Sequence, residues 1–327
     1  MKIVVYNYRE FDEGKYFDRF GKLYNVEIIK CCDTPNLENA KLVLNCHGVS
    51  VITTVISKDI IKLWHDLGVK HISTRTIGYD HIDIEAAKKY NMEVSNVTYS
   101  TASVANYTVM IILMALRKMK MIMKRADSWD YSLNDSIGLE LENMTVGVVG
   151  TGAIGQKVIK NLSGFDCNII AYDPFIKEEI KKYAKYVTLN ELIEQSDIIT
   201  FHVPANKDTY HIVRKETIKK MKDNVIIINT ARGSVINTSD LIDALENGKI
   251  GACALDVIEN ELGLYYGDYK YKNIGNRELS ILRDMPNVLL TPHMAFYTEQ
   301  AISDMVKHSI TSIVASYNKK KNKFRIC

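Results

Sequence analysis

Short apolar runs alternate with amphipathic stretches along this chain from its first residues. Residues 3–6 read as a strand, 12–20 as a helix, 26–29 as a strand and 41–46 as another. A helix over 58–67 leads into a strand at 70–74, residues 83–90 are helical again, and 92–96 are extended. This βαβ rhythm predicts a small parallel-sheet domain in roughly the first hundred residues. One long helix is expected next, over 101–124, with Ser100 or Thr101 placed to cap it. It keeps Val104, Thr108, Ile111 and Ile112 on one side. Its second apolar face, Met110, Leu113, Met114 and Met121, is wide for a surface helix. That width predicts packing against a second subunit or within the helix's own domain.

The strongest pattern lies at 144–173. Residues 146–149 are β-branched apolar sequence interrupted only by Gly147, which suits a strand buried on both faces. The run enters Gly150-Thr151-Gly152-Ala153-Ile154-Gly155, a full G-x-G-x-x-G, after which Ile154, Val158, Ile159 and Leu162 recur at helical spacing. A second apolar strand, 168–172, ends on Asp173. In such a unit Gly150 permits the tight turn, Gly152 lets backbone approach a pyrophosphate, and Gly155 lets the helix pack on the strand. The helix N-terminus offers N–H groups and partial positive charge to the phosphates. Asp173, 18 residues past Gly155, can accept hydrogen bonds from adenosine ribose hydroxyls and repel a 2′-phosphate. The expectation is a Rossmann unit that binds NAD rather than NADP.

The alternation continues beyond Asp173. Residues 197–203 read as a strand ending at Pro204, 225–229 as a strand, and 239–246 as a helix closed by Gly248. Two further strands, 252–255 and 288–290, bring the region 145–291 to about six strands, the number a complete dinucleotide sheet needs. A last helix, 299–317, can return to the first domain.

With 327 residues the chain is too long for one ordinary core, which agrees with two domains. Apolar residues at 46% and charged residues at 25% describe a soluble globular protein, and a net charge of +3 argues for neither nucleic acid nor membrane. The start MKIVVYNYREF lacks the apolar core of a signal peptide, and the longest apolar stretch, 109–116, is short of a membrane span. The cytoplasm is the expected compartment. Six cysteines show no CxxC pair and no Cys/His ligand spacing, so no metal is expected.

Ligands of open α/β sheets sit at the carboxyl ends of the strands. Three such ends carry Thr230-Ala231-Arg232-Gly233, the run from Asp256 through Glu259 to Glu261, and Thr291-Pro292-His293. Singly, each has a plain structural reading. Together, an arginine, a carboxylate cluster and a histidine suit reduction of a 2-oxo acid. Hydride addition leaves an oxyanion that needs a proton donor, and histidine titrates near neutrality. A neighbouring carboxylate favours the protonated form of such a donor. An arginine can grip the substrate carboxylate and polarise the carbonyl. Arg232 is the first choice for that grip, with Arg75 the next cation to consider.

On these motifs the chain resembles the D-2-hydroxyacid dehydrogenases, and within them the D-lactate dehydrogenase branch that includes the vancomycin-resistance D-lactate dehydrogenases. The matching stretches are STRTIGYDHIDIEAAK (73–88), NVTYS (96–100), VGVVGTGAIGQ (146–156), FHVPAN (201–206), INTARGSVI (228–236), ALDVIENE (254–261) and TPHMAFYTEQA (291–301). Thr101, Asn106 and Met294 depart from the family pattern.

The resemblance implies an α/β protein with a Rossmann NAD-binding domain (100–297), a smaller flavodoxin-like parallel-sheet substrate domain (1–99 with 298–327), and a cleft between them. It implies that Arg232 binds substrate, that Glu261 pairs with the histidine, and that His293 is the acid/base. Asp256 would lie near the nicotinamide. Ala153, Ile154, Val203, Pro204, Thr209, Thr230 and Ala231, with Arg232, fall on cofactor-contact positions. Ile77 and Gly78 look like the turn that holds the substrate carboxylate, and Tyr99 and Phe296 would line the pocket for its side chain. The implied activity is NADH-dependent reduction of pyruvate or a larger 2-oxo acid to the D-2-hydroxy acid, with D-lactate dehydrogenase as the first reading. A homodimer formed through the NAD-binding domain is expected. Dehydrogenation of branched or aromatic 2-hydroxy acids is the alternative, and an NAD-sensing binding protein of the same fold is the rival from another class.

Overall fold

In the computed structural model, which describes residues 1–327, apolar runs become parallel strands and amphipathic stretches cover them. The chain forms two units, Met1–Ser100 with Tyr297–Cys327, and Thr101–Phe296.

The first unit contains β1 (Lys2–Val5), α1 (Glu10–Tyr24), β2 (Glu27–Lys30), β3 (Gly48–Val51), α2 (Lys58–Asp66), β4 (His71–Thr74), α3 (Ile84–Lys89) and β5 (Glu93–Ser95). All five strands run parallel in the order β2-β1-β3-β4-β5. α1 starts with Glu10, Asp12 and Glu13 in its first turn, where the helix dipole favours them, and ends on Asn25 in the left-handed region. Trp64 of α2 is fully buried and stacks on Tyr6 at 5.6 Å.

The strand expected at 41–46 does not form. Residues Asn39–Val43 make a 3-10 helix, and the strand lies further on, at Gly48–Val51. Ala40, Val43 and Cys46 are the buried positions, a spacing of three that a strand cannot bury on one face. Gly48 lacks a side chain because a Cβ there would lie 2.6 Å from Ile313 of the final helix.

The second unit opens with α4 (Thr101–Leu116) and α5 (Met119–Ala126), where one helix was expected over 101–124. The break has a tertiary cause. The Leu139 amide takes the Leu116 carbonyl at 3.1 Å, and Lys118 turns into the left-handed region at φ 51°. There follow β6 (Thr145–Val149), α6 (Ala153–Leu162), β7 (Asn168–Tyr172), β8 (Lys185–Tyr186), α7 (Leu189–Gln195), β9 (Ile198–Phe201), α8 (Lys215–Ile218), β10 (Val225–Asn229), α9 (Thr238–Glu246), β11 (Ile250–Leu255), α10 (Arg277–Asp284) and β12 (Val288–Leu290).

Seven parallel strands stand in the order β12-β11-β10-β9-β6-β7-β8. The sequence pattern missed β8, α7, α8 and α10, which are short. α7 is fixed by a capping box between Thr188 and Glu191. The chain leaves β6 toward β7 on one side and returns through β9 on the other, so the switch point lies between β6 and β9. The last helix, α11 (Glu299–Tyr317), belongs to the first unit, where Ser309 bonds Ser50 of β3 at 2.7 Å. No helix is long and apolar enough to cross a membrane.

Candidate active site

The glycine-rich turn sits at the switch point. Gly150 has φ +96°, and its N–H bonds the Tyr172 carbonyl at 2.8 Å. A Cβ on Gly155 would meet the Gly150 carbonyl oxygen, so close helix–strand packing dictates that glycine. Gly152 differs, because a Cβ there would meet nothing within 4 Å. The protein leaves open space at the N-cap of α6, where Ala153 and Ile154 begin the first turn. That opening, with helix N–H groups around it, fits the pyrophosphate of a dinucleotide.

Asp173 closes the turn from β7. Its Oδ2 accepts the Thr151 N–H at 2.6 Å and its Oδ1 the Phe175 N–H at 2.8 Å. Val203 flanks Gly150 at the end of β9, and the Pro204 carbonyl accepts the Thr209 hydroxyl at 2.6 Å. At the end of β10, Thr230 bonds Thr108 of α4 at 2.9 Å, and Asn229 shapes the turn. Its Oδ1 accepts the Ala231 N–H at 3.0 Å, and its Nδ2 donates to the Arg232 carbonyl at 2.9 Å. The Arg232 guanidinium is half-buried and donates to the Ala231 carbonyl at 2.7 Å.

The ends of β11 and β12 meet around His293. Its Nδ1 lies 2.7 Å from Glu261 Oε1, and Glu261 Oε2 accepts the Ile258 N–H at 3.1 Å. A carboxylate on Nδ1 fixes the tautomer and leaves Nε2 as the ring nitrogen that could exchange a proton. Asp256 is fully buried and supports the turn from beneath, its carboxylate bonded by Thr291, Met294 and Ala295 at 2.6, 2.8 and 2.9 Å. Burial raises its pKa, and those three hydrogen bonds oppose the rise. The Tyr266 hydroxyl donates to the His293 carbonyl at 2.8 Å, and the Phe296 ring meets the imidazole edge-on at 6.2 Å.

Glu259 stands apart from His293. Its Oε1 lies 2.7 Å from His211 Nε2, which leaves Glu261 as the partner of His293. Tyr266 carried no sequence signal, since its backbone role depends on where the loop folds. Arg75 does not qualify as an alternative grip on substrate. It is fully buried and bound to Glu13 at 3.0 Å, with Ser50 and the Tyr6 carbonyl taking the rest of its fork. In the smaller unit the Ile77 carbonyl accepts Asn96 at 2.8 Å and the Gly78 carbonyl accepts Thr76 at 2.6 Å. Tyr99 is half-buried at the end of this unit's first segment. No cluster of side chains suited to a metal ion is present.

Residues 109–295 match the family described as D-isomer specific 2-hydroxyacid dehydrogenase, NAD binding domain. The chain is 48% identical over 255 residues to a D-specific alpha-keto acid dehydrogenase of Enterococcus faecium, which covers 78% of each protein. It is 39% identical over 318 residues to an aromatic 2-oxoacid reductase of Clostridium sporogenes, covering 96% of this chain and 95% of that one. The crystal structure of a D-lactate dehydrogenase from Treponema pallidum superposes with a TM-score of 0.88 at 30% identity over the whole of both chains.

Proposed function

The chain belongs to the D-isomer specific 2-hydroxyacid dehydrogenases, NAD-dependent oxidoreductases, and from that premise we propose that His293, Glu261 and Arg232 carry out reduction of a 2-oxo acid to its D-2-hydroxy acid. The observation that carries this reading is the 2.7 Å contact between His293 Nδ1 and Glu261 Oε1, made at adjacent strand ends next to the one that bears Arg232.

NAD fits the opening at Gly152, with Asp173 on the ribose side and Val203, Pro204, Thr209, Thr230 and Ala231 along the strand ends. When bound in reduced form it supplies the hydride for C2 of the 2-oxo acid. Arg232 grips the substrate carboxylate and polarises the C2 carbonyl, which aligns that carbon and draws charge toward its oxygen. His293 delivers a proton from Nε2 to the developing oxyanion while Glu261 holds Nδ1–H. Such acid catalysis contributes about 10²–10⁴ in rate. The reading extends to Ile77 and Gly78 as binders of the substrate carboxylate and to Tyr99 and Phe296 as contacts of its side chain. Asp173 makes NADH the preferred cofactor over NADPH.

Pyruvate, giving D-lactate, is the first substrate proposed. A larger branched or aromatic 2-oxo acid is the second, favoured by the 39% identity to an aromatic 2-oxoacid reductase over 96% of the chain. Comparing kcat/KM for pyruvate, 2-oxobutyrate, 2-oxoisocaproate and phenylpyruvate with NADH, and determining product chirality, decides between them. Absence of turnover with all four would reject the enzymatic reading in favour of NAD sensing.

The site is expected to work in the cytoplasm, in a homodimer joined through the Thr101–Phe296 unit. An apolar groove lined by Val109, Met110, Leu113 and Met114 supports the dimer, as do Trp129 and Leu133, which are 82% and 85% exposed. Sedimentation at the mass of one chain would reject it.

A further inference from the structure

We propose that His211 and Glu259 form a positioning pair that sets the Arg232 loop, and with it the grip on the substrate carboxylate. This rests on the reading of Arg232 given above.

Three loops meet at this pair. His211 belongs to the loop after β9, Arg232 to the loop after β10, and Glu259 to the loop after β11. The His211 N–H donates to the Ser234 carbonyl at 2.9 Å, and its Nε2 donates to Glu259 Oε1 at 2.7 Å. Asn237 assigns that tautomer. Its Oδ1 caps α9 by accepting the Asp240 N–H at 3.0 Å, so its Nδ2 faces His211 Nδ1 at 3.4 Å as a donor. Glu259 Oε2 in turn accepts both the N–H and the hydroxyl of Thr238 at 2.8 Å. One carboxylate thus ties the first residue of α9 to the loop after β9.

Residues 233–238 are held from both sides. The Val213 N–H donates to the Val235 carbonyl at 3.1 Å, and the Asn237 N–H to the Val213 carbonyl at 2.8 Å. On the other side Gly233 packs directly on backbone, where a Cβ would meet the Ile258 carbonyl and lie 2.5 Å from the Glu259 nitrogen. Arg232 is the residue at the entrance of this clamped segment, so a shift of 233–238 moves its backbone. A displacement of about 1 Å at a substrate-positioning residue can cost on the order of 10²-fold in rate.

Two features favour positioning over plain stability. His211 sits at φ +50°, a conformation that histidine adopts at a cost and that persists where the surroundings impose it. Glu259 and Glu261 also leave the same strand end and take different histidines, so the loop after β11 orients both halves of the site. The side chains of His211 and Glu259 are only 17% and 19% exposed, which limits competition from water.

The test is a mutant cycle on His211 and Arg232 with kcat, KM for the 2-oxo acid, NADH affinity and melting temperature as readouts. His211→Leu removes the donor and should raise KM about tenfold with NADH affinity and the pH profile of kcat nearly unchanged. His211→Gln keeps a donor for Glu259 and should recover KM to within about threefold, and it stands in if the leucine variant does not fold. In the Arg232→Lys background His211→Leu should add little, because the group it positions is already lost. Full additivity of the two changes, or a lowered melting temperature with wild-type KM, would overturn the pair's role while leaving the reading of Arg232 intact. A wild-type KM for Arg232→Lys alone would overturn the reading of Arg232, and the pair's role with it.

Discussion

Asp256 holds the His293 turn through both its backbone and its side chain. The Asp256 carbonyl accepts the His293 N–H at 2.8 Å, while its carboxylate accepts the next two amides, those of Met294 and Ala295. His293 itself is at φ 53°, so the carboxylate stabilises a backbone conformation that histidine disfavours. Asp256→Asn leaves one acceptor oxygen and turns an amide donor toward a backbone N–H. The loss of a buried acceptor costs about 1–3 kcal/mol. Thermal unfolding should shift down by several degrees, and kcat should drop about 10-fold or more as the imidazole drifts. A variant with both quantities at wild-type values would show that the turn holds itself.

The second and third glycines of the nucleotide turn should separate folding from binding. At Gly155 a methyl group meets the Gly150 carbonyl, so Gly155→Ala should lower both stability and NADH affinity. At Gly152 there is open space within 4 Å, so Gly152→Ala should keep its melting temperature and lose NADH affinity about 10-fold. Unchanged NADH binding in Gly152→Ala, read by fluorescence titration, would move the pyrophosphate elsewhere.

The proposed reading assigns cofactor choice to Asp173. Because Asp173 Oδ2 also accepts the Thr151 N–H, Asp173→Ala should weaken NADH and narrow its advantage over NADPH at the same time. Equal kcat/KM for the two cofactors in the wild-type enzyme would contradict the assignment.

Stability should depend on pH through His202. Burial drives its pKa down to about 3, its Nδ1 has no hydrogen-bond partner, and its Nε2 lies 3.0 Å from Thr200 Oγ1. The unfolded chain binds a proton here below about pH 6.5, and the folded chain resists doing so until near pH 3. The contribution is therefore complete above about pH 6.5 and is lost as pH falls toward the folded value, at no more than about 1.4 kcal/mol per pH unit. His202→Asn should flatten the fall of the urea midpoint between pH 6 and pH 4. An unaltered slope would assign the acid sensitivity to other groups, with His71 the next buried histidine to test.

What the sequence revealed, and what it hid, follows from the range of the interactions. The stretch from Val146 to Asp173 was legible because a buried strand, a glycine turn and a helix are adjacent in the chain and each leaves a local pattern. The break at Lys118 was not, since its cause is an amide from Leu139 rather than a local helix breaker. The strand at Gly48–Val51 hid behind a glycine and a serine whose reason lies in α11, where Ile313 packs against Gly48 and Ser309 bonds Ser50. At the site, residue types at strand ends pointed to the chemistry, but not to the wiring. Glu259 and Glu261 are equivalent as letters; the family motif already pairs Glu261 with His293, as the structure has it, whereas the partnership of Glu259 with His211 comes only from the fold of the loops. The support from Asp256 spans 38 residues of sequence to Met294, beyond the reach of any periodicity.

The central claim is that His293 is the acid, and His293→Asn tests it most directly. The measurement is single-turnover reduction of the 2-oxo acid by the preloaded NADH complex, with NADH affinity determined on the same preparation. The account predicts a rate about 10²–10⁴ lower with NADH affinity within about twofold of wild type, because the cofactor site proposed at Gly150–Gly155 and Asp173 does not involve the imidazole. A wild-type rate, or a loss of NADH binding as large as the loss of rate, would contradict it.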